Sequence, residues 1–157
     1  MYDFTNIAVY YDLNGKLVGI PTGINPNVEY DTRSLDIFYT LESGYNDTEL
    51  ENFLTIVFDA CYSKEYVENM PFGLQVYTNK KSIASASKGF QLVTLCRYKK
   101  GSYEIKPWIP CKKHKGAFVP VHNISIKIEL YSKFIPVEKG ALALAFKAAM
   151  GIIENAS

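Results

Sequence analysis

Residues 6–12 and 16–20 are rich in Ile, Val and Tyr, and between them stands Asn14-Gly15, a pair that readily takes the positive φ angles of a hairpin turn. A chain that opens this way commits its first twenty residues to two adjacent antiparallel strands. The same logic recurs at residues 90–98 and 102–108, which flank Lys99-Lys100-Gly101. Pro107 and Pro110 should limit the second of these strands and place it at a sheet edge, because proline cannot donate to the ladder. Ile124, Ile126, Ile128 and Leu130 alternate with Ser125, Lys127, Glu129 and Tyr131, the period of a strand with one face in the core. Further strands are expected over residues 35–42, 74–78 and 117–121. Residues 21–32, with two Pro, one Gly and two Asn, read as a long loop.

Helical spacing occurs in two places. Leu50, Phe53, Leu54, Val57, Phe58 and Cys61 form one apolar stripe, preceded by Asn46 or Asp47 as cap and by Glu49 and Glu51 at the positive end of the helix dipole. Residues 137–153, after Pro136, read as a terminal helix that is apolar on most sides. It must be buried in the fold or against another molecule, so self-association through it is a further expectation. Residues 79–89 read as a short helix in preference to a loop. Strands outnumber helices and come mostly in hairpins. The expected architecture is therefore a single α+β domain over residues 1–157, with a largely antiparallel sheet built from hairpins and two main helices packed on one face.

A chain of 157 residues buries enough surface to need no staple. Its 48% hydrophobic and 21% charged residues are ordinary for a globular protein. Its 12 Tyr and 9 Phe are not, and Tyr suits half-buried strands as well as binding surfaces. The first residues lack the basic flank and apolar run of a secretory signal. Cys61, Cys96 and Cys111 show no CxxC spacing and point to reduced thiols in a cytoplasmic protein, with Cys61 and Cys96 as small core residues.

The near-neutral total hides a division of charge. Residues 1–70 hold 12 Asp/Glu against 3 Lys/Arg, and residues 71–157 hold 4 against 14. If the halves occupy different surfaces, each invites a charged partner; if they interleave, the charges neutralise each other. On the acidic side, Asp36, Glu49, Glu51 and Asp59, with Tyr39, Tyr45 and Tyr62 as aromatic anchors, make a candidate surface for a cationic protein. On the basic side, residues 97–115 interleave Arg97, Lys99, Lys100, Lys112 and Lys113 with Tyr103 and Trp108. Those are the ingredients of single-strand nucleic-acid binding, and equally of an exposed hairpin kept soluble by lysines.

Catalytic signatures are missing from the sequence: it has no P-loop, GxGxxG or GxSxG. Cys111, His114 and His122 lack the paired spacing of a zinc site, so neither metal nor cofactor is expected. A small, Tyr-rich α+β chain without catalytic motifs is, by analogy of type, the sort of sequence found among bacterial toxin-neutralising immunity proteins, and the expectation is a non-enzymatic domain that binds a basic protein partner through its acidic surface. The alternatives are a nucleic-acid-binding module using residues 97–115, and a small enzyme with a cleft assembled from distant residues.

Overall fold

A computed structural model describes residues 2–129 and 137–156, and the α+β expectation holds there. Strands β1 (Phe4–Tyr11) and β2 (Leu17–Ile24) form the first hairpin, and β5 (Gln91–Tyr98) and β6 (Tyr103–Pro110) form the second. β1 pairs antiparallel with β5, so the two hairpins join into a β2-β1-β5-β6 sheet. Short strands β3 (Thr32–Ser34) and β4 (Tyr39–Leu41) line the outside of β2; β7 (Phe118–Pro120) and β8 (Ile126–Ile128) line the outside of β6. Every pairing is antiparallel in this curled eight-stranded sheet. The 99–101 turn is closed by Tyr98 and Ser102 with Gly101 at φ 99°, as its sequence implies. The first turn is wider. It spans residues 12–16, with the Gly15 N–H donating to the Asp12 carbonyl and only Gly15 left-handed.

Two prolines behave differently from expectation, for one shared reason. Pro21 lies inside β2 rather than in a loop, and Pro107 lies inside β6, which is not an edge strand. At Pro21 the outer partner of β2 changes from β4 to β3, and at Pro107 the outer partner of β6 changes from β8 to β7. Each proline stands in the gap between two short partners, where a missing N–H breaks no ladder. Each carbonyl there accepts from a buried residue, Leu35 N–H at 3.0 Å and Val121 N–H at 3.1 Å. Of the strand expected over residues 35–42 only β4 pairs as a strand, while β3 falls in the segment expected to be a loop and Leu35 is turned into the core between the two.

Residues 74–78 are a correction of type. They belong to helix α2 (Gly73–Thr78), followed by α3 (Ile83–Ser87) within the segment where a short helix is expected. Five residues of mixed polarity, Leu74 to Thr78, carry no decisive period. Here the Phe72 N–H donates to the Gln75 side chain, and Asn79 closes the helix in the left-handed conformation. The alternation at residues 124–129 survives: Ile124, Ile126 and Ile128 pack toward the core, although only Ile126–Ile128 pair as a strand. Leu130, Tyr131 and Pro136 lie outside the described residues.

Helix α1 (Asp47–Asp59) is capped by Asn46, whose side chain accepts from the Glu49 N–H while Glu49 reaches back to the Asn46 N–H. Its stripe Leu50, Phe53, Leu54, Val57 and Phe58 is buried on the sheet face that carries Ile7, Val9, Val93, Leu95 and Ile105. Gly19 makes this approach close, since a Cβ there would meet Val57 at 2.6 Å. Helix α4 (Ala141–Ala156) packs on the same face and buries Leu142, Phe146, Ala149 and Ile153. The two main helices thus share one face, as expected. The terminal helix is satisfied largely within the fold, and Leu144, 71% exposed, is its one large apolar residue in solvent among the described residues. None of the helices in the described residues is long and apolar enough to cross a membrane.

The opposite sheet face is only half covered. Tyr10, Val18, Ile20 and Leu92 form a second, smaller core under α2 and α3 with Leu74 and Ala86. Beyond them the sheet is open.

Candidate functional site

The open half of that face is a groove of about 540 Å³, floored by β1, β5 and β6 and lined by Asn6, Thr94, Cys96, Glu104, Lys106 and Trp108, among others. Glu104 is held by three donors: Tyr98 Oη at 3.1 Å, Ser125 Oγ at 2.9 Å and Lys106 Nζ at 3.3 Å. Burial pushes its carboxyl up, but the three donors together outweigh burial and keep it below the usual carboxylate range. Tyr98, bonded to the Cys96 thiol and to Glu104, is pushed up to about 12. Trp108 Nε1 donates to Thr94 Oγ1 at 2.7 Å. Cys96 faces this groove rather than the core, and burial raises its thiol. A general acid needs a raised carboxyl and a nucleophile a lowered thiol. Glu104 and Cys96 carry the opposite shifts.

At its mouth the groove meets an aromatic cluster. Tyr2 stacks on Phe4 at 5.6 Å and on Tyr30 at 5.3 Å, and meets Tyr62 edge-on at 6.4 Å. Tyr62 Oη donates to the Phe4 carbonyl. Tyr30 is left-handed, φ 59°, and its N–H donates to Tyr2 Oη at 2.6 Å. That conformation costs a non-glycine residue about 1–3 kcal/mol. Even so, Tyr30 is 72% exposed, beside exposed Val28 on the same loop. The 62–66 segment runs alongside the end of β2, through Tyr62 N–H to Thr22 O and Tyr66 N–H to Ile24 O, and continues to exposed Val67. Glu29 on the first loop and Glu65 and Glu68 on the second form no ion pair among the described residues.

The acidic candidates do not form one surface. Asp36 pairs with Lys64 at 2.7 Å and Asp59 with Arg97 at 3.1 Å. Glu49 is exposed but belongs to the α1 cap. Glu51 is turned to α4, where its carboxylate accepts the Gly140 and Ala143 N–H groups at 2.9 and 3.0 Å and so caps that helix from outside. Glu51→Ala should therefore lower stability by about 1–2 kcal/mol in thermal denaturation, the scale of a lost cap at a helix N-terminus. Tyr39 and Tyr45 are half-buried against the helix-side core, and only Tyr62 of the three anchors reaches the aromatic mouth.

The basic stretch is also divided. Arg97 lies over the Phe58 ring, 4.9 Å from its centroid, and Tyr103 packs on the same ring. Both face the helices, while Trp108 faces the groove. Lys99 and Lys100 sit in one turn of β6 and Lys112 and Lys113 in the loop at its other end, about 23 Å away along the strand. Lys106 stands between these two pairs, on the groove face of β6 with Trp108. The described residues bring together no group of three or more metal-ligating side chains.

The groove residues Asn6, Thr94, Cys96, Glu104 and Lys106, and Tyr2 and Tyr30 at its mouth, were not singled out by sequence. The polar parity of Thr94-Cys96-Tyr98 and Glu104-Lys106-Trp108 was the available signal. Paired hairpins put these six on one face.

Fold and groove together define a single α+β domain with a curled antiparallel sheet, two helices on one face and a partly open second face. A solved structure titled Protein of Unknown Function NMB0488, from Neisseria meningitidis, is similar with a TM-score of 0.65 over 96% of this chain and 95% of that one, at 9% identity, a likeness of fold alone. Neither a protein-family model nor a curated protein matches the sequence.

Proposed function

We propose that this chain is a non-enzymatic protein-binding domain of the immunity type, neutralising a basic toxin domain through the aromatic, acidic edge formed by the 25–31 and 62–70 loops. The observation that carries the reading is Tyr30, held in a strained conformation by Tyr2 and exposed rather than buried. Exposed aromatics rimmed by charge are what a partner's pocket takes as an anchor.

The distribution of charge supports the choice of a basic partner. The strand order keeps the two halves of the sequence side by side, with β3, β2 and β1 on one flank and β5, β6 and β7 on the other. Cross-half pairs such as Asp59–Arg97 and Asp47–Lys147 neutralise charge between the halves. Glu29, Glu65 and Glu68 remain toward the acidic flank, and Lys112, Lys113 and Lys115 toward the basic one. Complementary potentials of this kind speed association and reject wrong partners.

Co-expression of this chain with a basic toxin domain that it binds should restore growth of a cell that the toxin arrests. Tyr30→Ala should weaken the complex by about 30-fold, the scale of a binding hot spot, and Glu29→Lys, Glu65→Lys and Glu68→Lys together should slow association. Undiminished protection by the combined, folded variant would exclude this edge as the interface.

A further inference from the structure

Helix α3 and the loop between β6 and β7 are pressed together. A Cβ at Gly116 would stand 2.7 Å from the Ala84 Cα. The loop is closed on itself by the Cys111 N–H donating to the Ala117 carbonyl at 2.8 Å and the Ala117 N–H donating to the His114 carbonyl at 3.2 Å. Between loop and helix lies a cavity of about 490 Å³, lined by Lys88 from one side and Lys115 from the other, with no acid among the described residues that line it. Lys80, Lys81, Lys112 and Lys113 each stand within two residues of a lining residue. All six lysines are exposed, and none is in an ion pair among the described residues. Residues 69–128 hold 11 Lys/Arg against one acid, Glu104, whose carboxylate is held by its three donors in the groove. Asp12 and Glu154 bound the patch on the flank beyond Gly89 and Pro110.

We infer that this patch binds the phosphate backbone of a nucleic-acid duplex without reading its bases. A duplex carries one charge per about 1.7 Å of axis, so it calls for cations spread over one surface and not for groups converging on one atom. Six lysines from two abutting segments meet that demand. An ammonium is a point charge suited to phosphate, whereas the planar fork of arginine, which grips carboxylates bidentately, is absent from the patch; this disfavours an acidic protein as partner. Ile83 is the one large apolar residue exposed in residues 80–88 and 110–118, which leaves little to insert into a lipid surface. The nearby rings are engaged elsewhere, since Phe90 and Phe118 both pack on Tyr10, at 6.4 and 6.0 Å. Without free rings on which bases stack, a single strand gains less here than a duplex. The patch shares no residue with the Tyr30 edge, so either assignment can fail without the other.

Fluorescence anisotropy tests it, with the full chain added to labelled DNA duplexes of about 20 base pairs in two unrelated sequences, and to the single strand of one of them. Both duplexes should bind equally and more tightly than the strand. Log affinity should fall with log salt at a slope of about −5, from six contacts at about 0.9 each, which is about a 10³-fold loss between about 50 and 200 mM. Lys81→Gln, Lys88→Gln, Lys112→Gln and Lys115→Gln together should bring the slope to about −2 and weaken binding at least about tenfold, with an unchanged melting curve because all four side chains are exposed. Lys99→Gln with Lys100→Gln, in the turn at the other end of β6, should leave affinity within about twofold. No saturable binding at about 50 mM salt, tighter binding of the single strand, equal binding of polyglutamate or of phosphatidylserine vesicles, or an unchanged slope in the fourfold variant would overturn the assignment.

Discussion

Gly73→Ala is expected to destabilise the protein by about 3 kcal/mol or more, at the upper end of overpacking effects. Helix propensity argues the other way, favouring Ala over Gly by up to about 1 kcal/mol, less at the first helical position that Gly73 occupies. The sign of the measured change therefore decides between local preference and packing. A Cβ at Gly73 would stand 2.1 Å from the Ile37 carbonyl oxygen and 2.7 Å from Ile20 Cδ1. The Gly73 N–H also donates to the Leu35 carbonyl at 2.7 Å, in the gap between β3 and β4 where β2 changes partner. Moving α2 outward to admit a methyl group breaks that bond and uncovers Leu74 and Ile20 in the smaller core. Chemical denaturation of the two proteins would measure the difference, and a stabilised variant would show that α2 has room to shift.

Phe58→Ala should cost about 3–5 kcal/mol, the range for deleting a buried aromatic ring. In a chain of this length that corresponds to a fall in Tm of about 6–20 °C. Phe58 is 1% exposed, near the end of α1. Its ring lies under the Arg97 guanidinium and beside Tyr103 at 5.8 Å, so truncation also loosens the Asp59–Arg97 pair that ties α1 to β5. Thermal unfolding followed by circular dichroism checks the figure. A drop below about 1 kcal/mol would mean that neighbouring residues collapse into the space, and would remove Phe58 as the point where helix and sheet are locked.

Much of the fold is legible in periodicity. The hairpins at Asn14-Gly15 and Lys99-Lys100-Gly101, the α1 stripe and the apolar terminal helix follow from residue spacing and turn chemistry, which act over a few positions. The candidate site is less legible. Acids from residues 31–59 look like one surface in the sequence, yet Glu51 turns to cap α4, Asp36 meets Lys64 and Asp59 meets Arg97. Those partners lie tens of residues away along the chain, and spacing says nothing about them. Trp108 and Tyr103 are neighbours in one basic stretch but point to opposite faces of β6, because their separation is an odd number of residues.

From its sequence alone this chain determined its class, its two principal hairpins and the face that α1 buries, since these depend on local geometry and the removal of apolar surface from water. Only the tertiary structure decided where Pro21 and Pro107 belong, that residues 73–78 coil, which charges are spent inside the molecule, and which are left at its edges. Those outcomes rest on hydrogen bonds and ion pairs between distant segments, whose existence depends on the strand order and is not encoded in any short run of residues.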